Sequence, residues 1–156
     1  MTLKELRKSK HLTQAKCADY LGIPLRTYQN YETDPRKKGS MKYAFMLQKL
    51  EHYGYIDENH GILTVSQIQA VCTPLLQEAN ANYCYLFGSY AKGKATPSSD
   101  VDLLVSTSLT GLRFFEFVEA LREALKKKVD VLKSEQLNEN PELINEILKD
   151  GVKIYG

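Results

Sequence analysis

Three short apolar runs constrain this chain more than any other feature: Tyr83–Phe87, Val101–Val105 and Val129–Leu132. Each is short, apolar and bounded by loop or helix signals, the pattern of a buried strand. Between the second and third, Phe114, Phe117, Val118, Leu121 and Leu125 form a helical stripe. After the third, Leu143, Ile144, Ile147 and Leu148 form another, and Val152, Ile154 and Tyr155 suit a last short strand. Ahead of the first run, Ile68, Val71, Cys72 and Leu75 follow the i, i+3, i+4, i+7 spacing of an amphipathic helix, which Pro74 either kinks or divides. Strands alternating with helices predict an α/β or α+β sheet with helices on one face.

Nothing of this kind occurs earlier. From Leu3 to Tyr53 the pattern is helical with short loops. Leu3 and Leu6 share a face, Thr13 is placed to cap a helix carrying Ala15, Ala18 and Leu21, and Gly22 ends it. Pro24 suits the first turn of the next helix, where Tyr28 and Tyr31 point inward and Arg26, Gln29 and Asn30 outward. Asp34, Pro35 and Gly39 mark a loop, and Ser40 caps a last helix through Met41, Ala44, Phe45 and Gln48. The polar run Gly54–Gly61 resembles a linker. The expected division is a helical domain over 1–55, a linker over 56–63 and a second domain over 64–156.

Composition excludes several classes. With 43% apolar and 26% charged residues over 156 positions, the chain is neither disordered nor fibrous. No run approaches the ~20 apolar residues of a membrane span, and the start, Met1 to Leu6, lacks a signal-peptide core, so a cytoplasmic protein is expected. Cys17, Cys72 and Cys84 have neither disulfide nor zinc-site spacing and are expected to be buried small side chains. The net charge of +2 conceals an asymmetry. Up to Tyr55 there are 11 Lys and Arg against 5 Asp and Glu, and thereafter 10 against 14. A basic module suggests a polyanion partner, and an acidic one suggests metal-binding carboxylates or a solvated surface.

In the basic module, Leu12-Thr13-Gln14 through Ala18, Leu21-Gly22-Ile23 and Tyr31-Glu32 resembles the phage-repressor-like (Xre) helix-turn-helix family. Gly22 permits the tight turn, and Ala18, Ile23, Tyr28 and Tyr31 would fix the angle that lets the second helix enter a major groove. The resemblance implies that Gln14 touches a phosphate and that Arg26, Thr27, Gln29 and Asn30 face base edges or backbone of a double-stranded DNA operator. Such modules usually read paired half-sites, so a homodimer on DNA is expected. Tyrosines at 28 and 31, where small aliphatic residues are usual, and Leu25 on the exposed side depart from the pattern.

The acidic module carries Gly88-Ser89-Tyr90-Ala91-Lys92-Gly93, then Ser99-Asp100-Val101-Asp102-Leu103-Leu104, and later Val129-Asp130-Val131. Asp100 and Asp102 alternate along a strand and point to one face, and Asp130 on another strand can complete a third corner. Carboxylates so close repel unless a divalent cation neutralises them, and hard oxygen ligands with open positions favour magnesium. Gly88 and Ser89 let backbone amides approach a phosphate, with Lys92 and Lys94 nearby as cations. Together these residues predict phosphoryl or nucleotidyl transfer. They resemble the minimal nucleotidyltransferases of the polymerase-β superfamily, over about Leu63 to Gly156. The resemblance implies an α+β domain built on a mixed sheet with helices on one face. It further implies that Asp100, Asp102 and Asp130 are catalytic and hold two Mg2+ ions. Asp130 would assist deprotonation of the acceptor hydroxyl, and Gly88, Ser89 and Lys92 would bind the triphosphate of ATP. Lys92 stands where an arginine is common, keeping the charge without the bidentate fork.

That family also implies a function: transfer of AMP to a HEPN-type toxin by an antitoxin whose helix-turn-helix represses its own operon. The chain's short length points to a partner that supplies the acceptor. Two alternatives remain at the level of sequence. One is a transcriptional regulator whose nucleotidyltransferase fold senses nucleotide without catalysis. The other is an enzyme that nucleotidylates a small molecule such as an antibiotic.

Overall fold

The computed structural model describes residues 1–156. The chain forms two compact units, Met1–Gly54 and Tyr55–Gly156. Within the first, four helices form around one core: α1 (Leu3–Ser9), α2 (Gln14–Leu21), α3 (Leu25–Thr33) and α4 (Met41–Glu51). Side chains that accept the free amides of the first turn fix where three of them begin. Thr2 and Glu5 form a reciprocal capping box on α1, Thr13 caps α2 and Ser40 caps α4, each cap worth about 1 kcal/mol. Gly22 ends α2 at φ 68°, a left-handed conformation that glycine adopts without strain. Pro24 stands one position ahead of α3 as its N-cap.

The core of this unit is Leu3, Leu6, Cys17, Ala18, Tyr28, Tyr43, Met46 and Leu50. The Leu3 amide also donates to the Tyr43 hydroxyl oxygen at 3.0 Å, tying the start of α1 to α4. Of the stripe expected on α2, Ala18 is buried and Leu21 half-buried, while Ala15 is exposed and Cys17 takes its place in the core. Cys17 and Ala18 share that core with Tyr28 and Tyr43 of the neighbouring helices.

The second unit begins with α5 (Val65–Glu78), capped by a Thr64–Gln67 box and unbroken at Pro74. There follow β1 (Tyr83–Phe87), α6 (Gly88–Ala91), β2 (Val101–Ser106), α7 (Gly111–Leu125), β3 (Val129–Lys133), α8 (Pro141–Asp150) and β4 (Val152–Tyr155). The sheet order is β3-β2-β1-β4. β1 is antiparallel to β2 and β4, and β2 is parallel to β3, so the sheet is mixed and the unit is α+β.

Strand alternation separates two faces. Cys84, Leu86, Val101, Leu103, Val105, Val129 and Ile154 are buried against Ile68, Cys72 and Leu76 of α5 and Phe117, Leu121 and Leu125 of α7. The other face carries Tyr83, Tyr85, Asp102, Leu104 and Asp130. Part of it meets Ile144, Ile147 and Leu148 of α8 around a cavity of about 490 Å³. All three cysteines are buried and unpaired. No helix is long and apolar enough to cross a membrane.

Candidate active site

The site grows from the end of β1. Phe87 pairs with Asp102 across the antiparallel ladder, and Gly88 follows at φ 73°. A Cβ on Gly88 would run into the Asp102 carboxylate, so the position needs glycine both for its backbone and for the space it leaves. The chain then closes the short helix α6, in which the Lys92 amide donates to the Gly88 carbonyl and the Lys94 amide to the Ser89 carbonyl. This turn keeps Ser89 half-buried beside the end of β1.

The parallel register of β2 and β3 sets Asp102 directly opposite Asp130. Asp100 lies immediately ahead of β2, half-buried like Asp102, whereas Asp130 is exposed. The Asp102 carboxyl is pushed up to about 6, first by burial, then by the charges of Asp130, Asp100 and Glu146 and a hydrogen bond with Asp130. Two hard oxygen donors held side by side, in the field of a third and without an internal countercharge, are the donor set that a magnesium-sized cation takes. The side chains do not converge as a ready-made cage of three or more ligands.

The loop that delivers Asp100 is held at several points. The Thr96 amide donates to Ser99 Oγ at 2.8 Å, the Ser99 amide returns to the Thr96 carbonyl at 3.0 Å, and the Val101 amide donates to the Lys128 carbonyl at 2.9 Å. Lys92, expected at the phosphates, is bound at 2.8 Å to Glu146 of α8. Sequence reasoning missed Glu146. Its position between Ile144 and Ile147 gives a helix stripe, and only the folding of α8 onto the carboxylate face brings it to Asp102.

In the helical unit, Arg26, Gln29 and Asn30 are exposed on α3 and Thr27 is half-buried. Gln14 is held from two sides: it donates to Glu32 at 3.3 Å and accepts from Gln29 at 3.2 Å. Glu32 in turn takes two bonds from Arg7, at 3.0 and 2.8 Å, with its side chain only 2% exposed. Burial pushes the Glu32 carboxyl up, but the hydrogen bonds led by Arg7 outweigh it and hold the carboxyl below its ordinary range. This network orients α1, α2 and α3 and fixes Gln14 beside Gln29.

A family model described as polymerase beta nucleotidyltransferase matches residues 71–156, more than half of the chain. The chain belongs to this nucleotidyltransferase family. A helix-turn-helix model matches residues 3–41. Two Methanocaldococcus jannaschii proteins, MJ1215 and MJ0435, named as candidate protein adenylyltransferases, are similar to the nucleotidyltransferase region. The first is 35% identical over 75 residues, 44% of this chain and 87% of its own length. The second is 30% identical over 95 residues, 59% of this chain and 99% of its own length. Among solved structures, a minimal nucleotidyltransferase aligns at 26% identity and a TM-score of 0.49, over 60% of this chain and 98% of that one. A toxin–antitoxin structure with AMP-PNP aligns at 25% identity and a TM-score of 0.48, over 56% of this chain and 73% of that one.

Proposed function

We propose that this nucleotidyltransferase transfers AMP from ATP to a hydroxyl of a partner protein, and that its helical unit binds operator DNA. The observation that carries the first part is the Asp102–Asp130 pair, set opposite each other by strand register, with Gly88 leaving room for the Asp102 carboxylate. The names of the two archaeal relatives support a protein as acceptor. A HEPN-type toxin is the acceptor that the family resemblance implies, which would make this chain an antitoxin.

Asp100, Asp102 and Asp130 would hold magnesium, which when bound neutralises polyphosphate charge and makes the acceptor hydroxyl more acidic. The other roles belong to the chain itself. The backbone at Gly88 and Ser89 would hold phosphate oxygens, and Lys92 would leave Glu146 to meet the polyphosphate. Asp130, the most exposed of the three, would accept the acceptor's proton. A new oxygen–phosphorus bond then forms at the α-phosphorus as the bond to pyrophosphate breaks.

The second part rests on exposed Arg26, Gln29 and Asn30, on Gln14 fixed beside them, and on the excess of basic residues before Tyr55. Reading of paired half-sites would make the protein a homodimer on DNA. Incubating the purified protein and the product of its neighbouring gene with labelled ATP and magnesium tests the enzymatic reading. Label is expected on the neighbour with the wild type and not with Asp100→Ala. No transfer, or equal transfer by both, would overturn it.

A further inference from the structure

Lys126, Lys127 and Lys128 form a run whose outer two members are exposed, yet Lys127 is 1% exposed. Its ammonium donates to three backbone carbonyls: Pro97 at 2.6 Å, Gly61 at 2.7 Å and His60 at 3.1 Å. A lysine ammonium has three donors, so all are spent on carbonyls, and the Asp57 carboxylate adds only its charge. A buried charge placed this way is costly unless every proton is accepted, which makes the three carbonyls a defined socket. The chain is bent to fill it. Lys126 adopts a left-handed conformation at φ 57° at the end of α7, and β3 begins two residues after Lys127.

The three anchored segments differ in what they carry. Pro97 is three residues ahead of Asp100, and Lys127 is three ahead of Asp130. His60 and Gly61 belong to the stretch that leads into α5. Asp102 and Asp130 are placed by the sheet ladder, but Asp100 lies outside it, so its position depends on what holds the loop before it. Beyond the Thr96–Ser99 turn and the Val101 amide on the Lys128 carbonyl, which hold its two ends, the middle of the loop is held by the Lys127 ammonium on the Pro97 carbonyl.

We infer that Lys127 is a positioning residue: its ammonium pins the loop preceding Asp100 to the start of β3, and thereby sets the third carboxylate against the Asp102–Asp130 pair. The inference rests on the assignment of these carboxylates to metal and nucleotide. Removing the ammonium leaves three carbonyls to find other partners, which frees the loop while the sheet keeps Asp102 and Asp130 in place.

The full-length chain tests this without any acceptor. Mn2+ binding in the presence of a non-hydrolysable ATP analogue is measured by calorimetry for the wild type, Asp100→Asn, Lys127→Met and the milder Lys127→Gln. Amide hydrogen exchange is followed over residues 94–100 and 103–105. Both Lys127 variants are expected to melt cooperatively, to bind Mn2+ at least tenfold more weakly, and to exchange faster over 94–100 with 103–105 unchanged. Wild-type affinity and wild-type loop exchange in a folded Lys127 variant would overturn the inference, as would failure of both variants to fold, since Lys127 would then serve the fold as a whole. Failure of the wild type itself to bind Mn2+ would instead refute the site assignment on which the inference rests.

Discussion

Glu32 and Asp102 are both carboxylates withdrawn from water, and their surroundings move them in opposite directions. Glu32, in the helical unit, has Arg7 built against it in a two-bond ion pair and is held below its ordinary range. Asp102, in the sheet unit, faces Asp130, Asp100 and Glu146 and is pushed up to about 6. The first unit supplies its own cation and so uses the carboxylate to fix three helices. The second pairs Glu146 with Lys92 but places no cation in a salt bridge with Asp102, whose charge the proposed metal would balance. Lys127 sharpens the contrast: the cation buried in the sheet unit is spent on carbonyls and not on the carboxylates.

The comparison breaks most visibly at the outward-looking carboxylates. Asp102→Asn or Asp100→Asn is expected to lower nucleotidyl transfer by roughly 10³-fold or more, measured with labelled ATP, while the fold survives. Arg7→Met should do the reverse. Leaving Glu32 buried without its partner should cost about 3–5 kcal/mol, read by urea denaturation of the helical unit, with the transferase reaction little changed. A loss of activity from Arg7→Met with stability unaltered would mean that the two carboxylates do not divide as described.

A pH series refines the first half of the contrast. Because the folded-state pKa of Glu32 is depressed, its contribution to stability is present above the unfolded value and is lost as pH falls through the folded one. Glu32→Gln should therefore be less stable than the wild type by about 2 kcal/mol at pH 7, and the two should converge in acid below the ordinary carboxylate range. A constant difference at all pH values would contradict this. The smallest effect is expected at Glu146. Glu146→Gln frees Lys92 and removes one repulsion on Asp102, so the ATP KM should fall a few-fold with kcat within about twofold, as suits a half-exposed ion pair.

Much of this arrangement is legible in local sequence because local forces decide it. The three apolar runs become β1, β2 and β3, and Thr13, Gly22 and Ser40 bound their helices, since a strand's alternation and a cap's hydrogen bond need only a few neighbouring residues. The Gly88-Ser89 and Asp100-x-Asp102 spacings are local in the same way, and they fall at the end of β1 and the start of β2. What is not legible depends on long-range closure. The parallel pairing that sets Asp102 opposite Asp130, the return of α8 that brings Glu146 to Lys92, and the socket that buries one lysine of three all join residues distant in sequence. Gln14 shows the same limit: its helix position was readable, but its bonds to Glu32 and Gln29 depend on how α2 and α3 pack.

The central claim is that the sheet unit leaves its carboxylates for an external cation. It is tested most directly by the melting temperature of the metal-free protein at pH 8 as magnesium and a non-hydrolysable ATP analogue are added. The wild type should start low and rise as its carboxylates are neutralised. Asp102→Asn, relieved of the repulsion from the start, should begin higher by the equivalent of about 1 kcal/mol and scarcely move. Two parallel curves, or a wild type that magnesium and nucleotide leave unmoved, would contradict the account.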